Sequence, residues 1–409
     1  MRKKRVLILG GGLLQVPLIL KAREKGFEVC LSDYYEDPPG KRFCHHSSRI
    51  STVSLEENLI YAGEMNIDYV LTAGTDQPVY TAAYVSEKLG LAHPITGEQG
   101  KMVTNKQFMK ARMMERGIPT PDFRVFSGRS APDMQDMKYP LVVKPVDSQG
   151  QRGIFVLDGS ESAGEVKEVF EQAGSHSITG SVIVEEFYSG DEITVNCWVK
   201  DGEPFVLMTT DRLHFDDTVV LGLCKQQRFP SRAAEGRERE LTHLTGEISA
   251  AFGIEDGPLY IQAVAGPEGL KVIEFGYRVG GGFESETVPR VTGIDILELY
   301  LNLVTEGKNN FRPEEIKERA RLGSIFFMLA KPGQVTKIRV PEGFDRYGKL
   351  FVKEGAEIGE ICNATSRIGC FSCYTDDPDD YYKFLSNLDS HIGIYDRENR
   401  DILIHNIWE

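Results

Sequence analysis

Val272-Ile-Glu-Phe-Gly-Tyr-Arg-Val-Gly-Gly-Gly282 is the stretch from which the rest of this chain can be read. It opens apolar, as a buried strand would. Glu274 interrupts the apolar run, Arg278 follows, and a triple glycine closes it. A carboxylate at the end of a core strand is costly to bury unless a cation neutralises it. A metal ion serves where a glycine-rich, phosphate-sized space lies alongside. Arg278 supplies a fixed, forked cation suited to a carboxylate or a phosphate. The competing reading is a strand-to-loop turn with an incidental ion pair, and the neighbouring sequence must decide between the two.

Working outward, Leu259-Tyr-Ile-Gln-Ala-Val-Ala265 reads as a strand, Gly266 to Gly269 as a turn and Leu270 to Phe275 as the return strand. This hairpin puts Gln262 and Glu274 on neighbouring antiparallel strands, facing one site. Further upstream, Ser181 to Phe187 is a strand ending in Glu185 and Glu186. Gly190 to Val199 is another, carrying Glu192; Asp201-Gly202 signals a hairpin turn, and Phe205 to Thr209 answers it. Tyr139 to Lys144 is a strand with a lysine on its C-terminal side. The loop Pro145 to Ile154 that follows contains Ser148, Gln149, Gly150 and Gly153. It lacks the Gly-Lys-Ser/Thr of a Walker A loop. It still has what phosphate binding needs: glycines that expose backbone N–H groups, a hydroxyl and a nearby lysine. Thr104 to Arg116 reads as a capped helix with Lys106 near its start, where a lysine is ordinarily solvated. His214, in Asp211-Arg-Leu-His-Phe-Asp216, reads either as a residue approaching substrate or as an exposed loop histidine.

The N-terminus runs Arg5 to Leu9 as a strand, Gly10-Gly-Gly12 as a turn and Leu13 to Lys25 as a helix. Gly26 stops the helix, and a second strand leads to Asp33. That is a β–α–β unit with a Rossmann-like start. A dinucleotide fingerprint would require glycine at position 15, where Gln15 stands. Tyr69 to Thr72 is a further strand. In its outgoing loop, Asp76 is either a ligand contact or the N-cap of the helix from Val79 to Leu89. Helices are expected over Ala234 to Phe252, Ile294 to Thr305 and Asp379 to Leu388. Strands return at Gly323 to Leu329, Gln334 to Val340 and Cys370 to Thr375.

With 409 residues, the chain can build two or three domains. Its 41% hydrophobic and 26% charged content is that of a soluble globular protein. A net charge of −14 without a Lys/Arg block argues against nucleic-acid or membrane-surface partners. A nucleotide site needs only a few local cations. Val6 to Leu9 is too short for a signal-peptide core, and no window reaches the length of a membrane span. Cys370-Phe-Ser-Cys373 lacks the second pair that zinc would need. Cys44-His45-His46 tempts a metal reading, but adjacent residues rarely converge on one ion. An odd count of seven scattered cysteines suits a reducing cytoplasm.

The order of parts resembles the ATP-grasp superfamily: a Rossmann-like unit, Lys106, the strand-borne Lys144 with its Gly/Ser loop, Glu185-Glu-Phe-x-x-Gly-x-Glu192, Gln262 and Glu274-x-x-x-Arg278-x-Gly-Gly281. The branch is the one holding carbamoyl-phosphate-synthetase-like domains, purine-pathway carboxylate ligases and L-amino-acid ligases. The resemblance covers residues 1 to about 305 well and the remainder loosely. It implies a mixed α/β and α+β architecture. A Rossmann-like pre-ATP-grasp domain would span 1–97 and a two-lobed ATP-grasp domain 98–305, with a flexible lid over about 122–187. A C-terminal β-rich region, 306–409, would complete the substrate side.

Roles follow from the same resemblance. Lys106 and Lys144 resemble the cations on the ATP phosphates, and the loop bearing Ser148, Gln149, Gly150 and Gly153 resembles the flap over them. Glu185 resembles the acid at the adenine amino group, Glu186 and Phe187 the adenine wall, and Glu192 the acid on the ribose. His214 lies in a stretch that approaches substrate or phosphate in relatives. Gln262 and Glu274 resemble the magnesium ligands, with manganese able to substitute. Arg278 resembles the arginine at the reacting phosphoryl group, so it and Lys144 are the catalytic candidates. Two positions depart from the pattern: Gly276 stands where relatives often carry asparagine, and Gln262 where they more often carry glutamate.

The implied activity is a cytoplasmic ATP-dependent carboxylate–amine ligase that works through an acyl phosphate. It would act on small-molecule acids and amines, without nucleic-acid or membrane partners, with a homodimer as the family expectation. Bicarbonate- or purine-ribonucleotide-directed ligation is the alternative within the class. An NAD-binding oxidoreductase resting on residues 5–33, and a catalytically silent nucleotide-binding module resting on Gly276 and Gln262, are the alternatives outside it.

Overall fold

A computed structural model describes residues 2–127, 134–148, 150, 152–215 and 222–405. The elements begin with β1 (Arg5–Leu9), α1 (Val16–Glu24), β2 (Glu28–Ser32), β3 (His46–Ser48), α2 (Leu55–Glu64), β4 (Tyr69–Leu71) and α3 (Gln77–Leu89). Next come α4 (Gly97–Thr104), α5 (Lys106–Glu115), β5 (Phe123–Ser127), β6 (Leu141–Pro145), β7 (Phe155–Leu157), α6 (Ala163–Ser175) and β8 (Ser181–Glu186). Then follow β9 (Asp191–Lys200), β10 (Glu203–His214), β11 (Cys224–Phe229), α7 (Glu238–Phe252), β12 (Gly257–Gly266) and β13 (Gly269–Gly276). The last part holds α8 (Glu284–Thr292), α9 (Ile296–Glu306), β14 (Leu322–Met328), a strand over Gly369–Thr375 and α10 (Pro378–His391), with shorter strands between them.

The chain forms two compact units. The first takes residues up to 125 together with 195–208 and 236–317; the second takes 126–194, 209–235 and 318–409. Both long strands of the central hairpin, β9 and β10, contribute residues to each unit.

The first unit starts with a parallel sheet in the order β3-β2-β1-β4. β1 pairs in parallel on both sides, with Leu7 opposite Cys30 and Val70. A strand with neighbours on both edges and packing on both faces reads as continuous apolar residues, as Val6 to Leu9 do. Leu7, Leu9, Cys30, Val70, Ala82 and Val85 form the core beneath α3. α1 begins at Val16, later than the expected Leu13, with proline in its first turn. α3 is capped after Leu89 by Gly90, whose φ of 65° is the left-handed conformation that glycine adopts without steric cost. The unit also carries the β12–β13 hairpin, in the expected register from Gly266↔Gly269 to Tyr260↔Gly276, with one irregularity beside Gln262.

In the second unit β6 lies between β7 and β8, all antiparallel. Leu141, Val143, Val182 and Val184 pack on one face with Ala173 of α6. The same alternation puts Lys144 and Glu185 on the opposite face. β11 pairs with β14, and β14 with Gly369–Thr375. A second core is built there from Phe326, Met328, Phe371, Leu385, Leu388 and Ile394. Among the described residues, no helix is long and apolar enough to cross a membrane.

His405 in this unit sits between two carboxylates, with Nδ1 2.9 Å from Asp389 Oδ1 and Nε2 3.2 Å from Asp401 Oδ2. Burial opposes its positive charge, but the two carboxylates outweigh burial and raise its pKa above the ordinary 6.5. A raised pKa adds stability that is fully present below 6.5 and is lost as pH rises through the higher folded value. His405→Gln should therefore melt below the wild type at about pH 5.5 and match it at about pH 9. A constant difference between the two in melting scans would contradict the pairing.

Candidate functional site

In the first unit a polar row runs along the β12–β13 hairpin. Gln262 and Glu274 are direct cross-strand partners, as are Tyr260 and Gly276. Opposed residues on an antiparallel pair share a face, with Cβ atoms about 5 Å apart. α5 brings Lys106 to this row: its Nζ lies 3.0 Å from Glu274 Oε2, and its side chain is only 12% exposed. Asn105 caps α5 through Gln107 N, which fixes where the helix starts. Lys106 is thus an ion-pair partner, where a solvated lysine was the plain expectation.

One turn along α5, Lys110 is fully buried. Its Nζ donates to Thr120 Oγ1 at 2.6 Å and to the Val272 carbonyl at 3.2 Å. Thr120 Oγ1 also donates to that carbonyl at 2.7 Å, so α5 and the segment after it grip β13 just ahead of Glu274.

Arg278 closes the row. It is 7% exposed, and its guanidinium forks onto Asp76, with Nε to Oδ1 at 2.5 Å and Nη2 to Oδ2 at 2.9 Å. Nη1 donates to the Val279 carbonyl at 3.2 Å. The cation lies 4.9 Å from the Tyr260 ring centroid. Burial disfavours its charge, yet the Asp76 carboxylate more than offsets this, and the pKa is raised above the usual arginine value. Asp76 occupies the N-cap position of α3, as one of its two readings has it, but its side chain makes no capping bond and turns to Arg278 instead.

The second unit holds the other candidates. Lys144 Nζ lies 2.9 Å from Glu185 Oε1, with side chains 6% and 5% exposed. Lys144 sits opposite Ile183 and Glu185 opposite Val142, so the pair is diagonal across the strands, a gap that a lysine can span. Glu186 turns elsewhere and accepts from Lys138 N at 2.9 Å. Phe187 is bonded through its backbone N–H to the Pro140 carbonyl, and its ring is exposed. In the glycine loop, Gly150 and Gly153 both have φ of 70°. A Cβ on Gly150 would meet open space, whereas one on Gly153 would press on His176. Ser148 follows β6 in this loop, and Gln149 lies outside the described residues. Asp147 anchors the loop's base by accepting from Ile178 N and Thr179 N.

Glu192 is the hub of a third cluster. Its Oε1 lies 2.8 Å from Arg212 Nε and its Oε2 2.9 Å from His214 Nε2. His214 is therefore the last residue of β10, paired with an acid, and not an exposed loop histidine. Asp211, next to Arg212 and on the opposite face of β10, accepts from Arg228, Ser231 Oγ and the backbone N–H groups of Arg232 and Ala233. Burial would raise the Asp211 pKa, but these donors together hold it below its ordinary value.

Sequence reasoning missed Lys110, Asp147, Asp211 and Arg212, and it singled out Asp76 without finding its partner Arg278. Arg212 had a signal: it stands at spacing two from His214, on the same face of a strand. The others owe their roles to tertiary neighbours. Cys44, His45 and His46 do not converge: Cys44 Sγ donates to the Lys41 carbonyl, His45 Nδ1 accepts from Val29 N, and His46 pairs with Glu28.

The mixed α/β fold, with its carboxylate- and lysine-bearing antiparallel strands, is that of the ATP-grasp class. Residues 104–216 match the family described as phosphoribosylglycinamide synthetase, ATP-grasp (A) domain. The chain is 23% identical to the L-arginine-specific L-amino acid ligase of Bacillus subtilis, over 58% of this chain and 57% of that enzyme. It is 22% identical to the 3-methyl-D-ornithine–L-lysine ligase of Methanosarcina acetivorans, over 87% of this chain and 88% of that enzyme. The L-amino acid ligase of Bacillus licheniformis superposes with a TM-score of 0.79 at 20% identity, covering 97% of this chain and all of that one; this is a likeness of fold.

The buried Lys144–Glu185 pair yields a stability prediction. Removing the cation beside a buried carboxylate costs about 3–5 kcal/mol, whereas replacing both partners with apolar residues costs much less. Lys144→Ala should lower the urea midpoint markedly, and Lys144→Met combined with Glu185→Leu should recover most of the loss. An unchanged midpoint in Lys144→Ala would contradict the pairing.

Proposed function

We propose that this protein is an ATP- and magnesium-dependent carboxylate–amine ligase acting on a small acid, in the first instance an amino acid. The observation that carries the reading is Gln262 opposite Glu274 on one hairpin, with Lys106 of α5 beside Glu274 and Arg278, just past the hairpin, locked in orientation. The similarity to two amino-acid ligases supports the choice of acid.

A carboxylate is a poor acyl donor. Transfer of the ATP γ-phosphoryl group makes it a good one: a carboxylate oxygen bonds to phosphorus, and the bond to the ADP oxygen breaks. The amine then attacks the acyl carbon, phosphate leaves with the bonding pair, and the amine's proton departs with it or to solvent. Such transfers need charge neutralisation and in-line placement more than a covalent enzyme group.

In this reading Lys144 and the N–H groups of the loop carrying Ser148, Gln149, Gly150 and Gly153 hold phosphates. Glu185, Glu186, Phe187 and Glu192 hold the nucleoside, and His214 acts through Glu192. Lys106 and Arg278 neutralise charge on the transferred group.

Gln262 and Glu274 fit a magnesium ion, or manganese in its place. They are hard oxygen donors opposed on one face, and a cation already stands 3.0 Å from the carboxylate. Two protein ligands suit an ion that keeps water and phosphate oxygens in its shell, and when bound it supplies charge neutralisation to the triphosphate.

A phosphate-release screen over pairs of amino acids and amines tests the proposal. ADP and phosphate should form only when both partners are present. Lys144→Ala and Glu274→Ala should each cut the rate by about 100-fold or more. AMP and pyrophosphate as products would contradict the proposal. ADP release that depends on bicarbonate would replace it with the carboxylase alternative.

A further inference from the structure

The glycine turn after β1 and the loop after β4 bond to each other, and the second of them reaches Arg278. We propose that Asp76 is a positioning residue for Arg278, held in place by Gln15 and by the absence of a side chain at Gly276. The proposal rests on the ligase reading for what Arg278 does, but the geometry below does not depend on it.

Asp76 and Arg278 are 202 positions apart in the chain, yet both carboxylate oxygens accept from the guanidinium. Asp76 stands at the N-cap of α3 and yet forgoes the capping bond that an aspartate there ordinarily makes. The loop that carries Asp76 is pinned from both sides. Gly74 N donates to the Val279 carbonyl at 3.2 Å, and a Cβ on Gly281 would lie 2.5 Å from the Gly74 carbonyl oxygen. From the other side, Gln15 Nε2 donates to the Ala73 carbonyl at 2.6 Å.

Gln15 itself is 3% exposed, and the glycine turn closes around it. A Cβ on Gly10 would approach its Cδ to 3.1 Å, and one on Gly12 its Oε1 to 3.1 Å. Gly11 N, a donor that a phosphate would use, is taken by Asp33 Oδ2 at 2.7 Å. The residue that breaks the dinucleotide fingerprint is therefore a strut between the first turn and the Asp76 loop.

Gly276 completes the device. A Cβ there would stand 2.6 Å from Asp76 Oδ1 and 3.2 Å from Arg278 Cγ. The Asp76–Arg278 pair fills the space that a side chain at 276 would need. Together with the Tyr260 ring and the Val279 carbonyl, Asp76 fixes the plane of the guanidinium and the direction of its remaining N–H groups.

The test compares Asp76→Asn, Asp76→Glu and Gly276→Ala with the full-length wild type. Binding of MgADP, and its tightening by fluoroaluminate as a mimic of the transferred phosphoryl group, are measured by calorimetry. Phosphate release is measured with the best acid and amine pair. Asp76→Asn should leave the MgADP affinity within about threefold, abolish the fluoroaluminate tightening, and lower kcat about 100-fold with little change in KM for ATP. Gly276→Ala should do the same by displacing the carboxylate, and Asp76→Glu should restore part of the rate. Retained tightening in Asp76→Asn, or a loss of MgADP affinity in proportion to the rate, would overturn the positioning role. If the wild type releases no phosphate with any pair, the ligase reading fails and the fluoroaluminate measurement alone decides: tightening lost in Asp76→Asn supports the role. Tightening retained in that variant, or absent from the wild type, overturns it.

Discussion

The antiparallel register of the β12–β13 hairpin is the constraint on which the candidate chemistry depends. Because Gln262 faces Glu274 and Tyr260 faces Gly276, donors that are distant in sequence share one face. A slip of one residue would send every one of them to the other face. The register is secured at its closed end by the Gly266↔Gly269 turn. Ahead of Glu274 it is secured by α5, where buried Lys110 and the Thr120 hydroxyl both donate to the Val272 carbonyl. α5 thus has two tasks on successive turns: Lys110 fixes the strand, and Lys106 meets the carboxylate that the strand presents.

The polar groups of both units obey one rule: a carboxylate taken out of water has a cation or several N–H donors beside it. Glu185 has Lys144, Glu192 has Arg212 and His214, Asp76 has Arg278, and Asp147 and Asp211 have backbone donors. Within each unit these cations are already oriented by the acids beside them; under the proposed function little reorganisation would be left for the moment of reaction.

Much of this was legible in the sequence, because alternation and turn signals are local. The hairpin, the strand delivering Lys144, the two acids ending β8 and the βαβ start all lie within short windows whose apolar pattern survives folding. Other parts were passed over. α4 and α6 carry readable capping boxes, Thr96 with Gln99 and Ser162 with Glu165, and α6 adds an apolar stripe of Val166, Val169, Phe170 and Ala173. β11 escaped because Lys225-Gln-Gln-Arg228 does not look like a strand, although Gln226 and Gln227 are buried. Asp76 as the partner of Arg278 was beyond sequence reasoning altogether, since no local pattern links positions so far apart. Gly276 had been a departure from the family pattern without a cause; beside the Asp76 carboxylate it has a steric one.

The central claim is that the acid is activated by phosphoryl transfer to its carboxylate. The most direct measurement follows oxygen. With the carboxylate of the acid labelled with heavy oxygen, turnover should deliver one labelled oxygen into the released inorganic phosphate, read by mass spectrometry or by the isotope shift in phosphorus NMR. Phosphate that carries no label while the acid and amine are joined, or label found in AMP, would contradict the account.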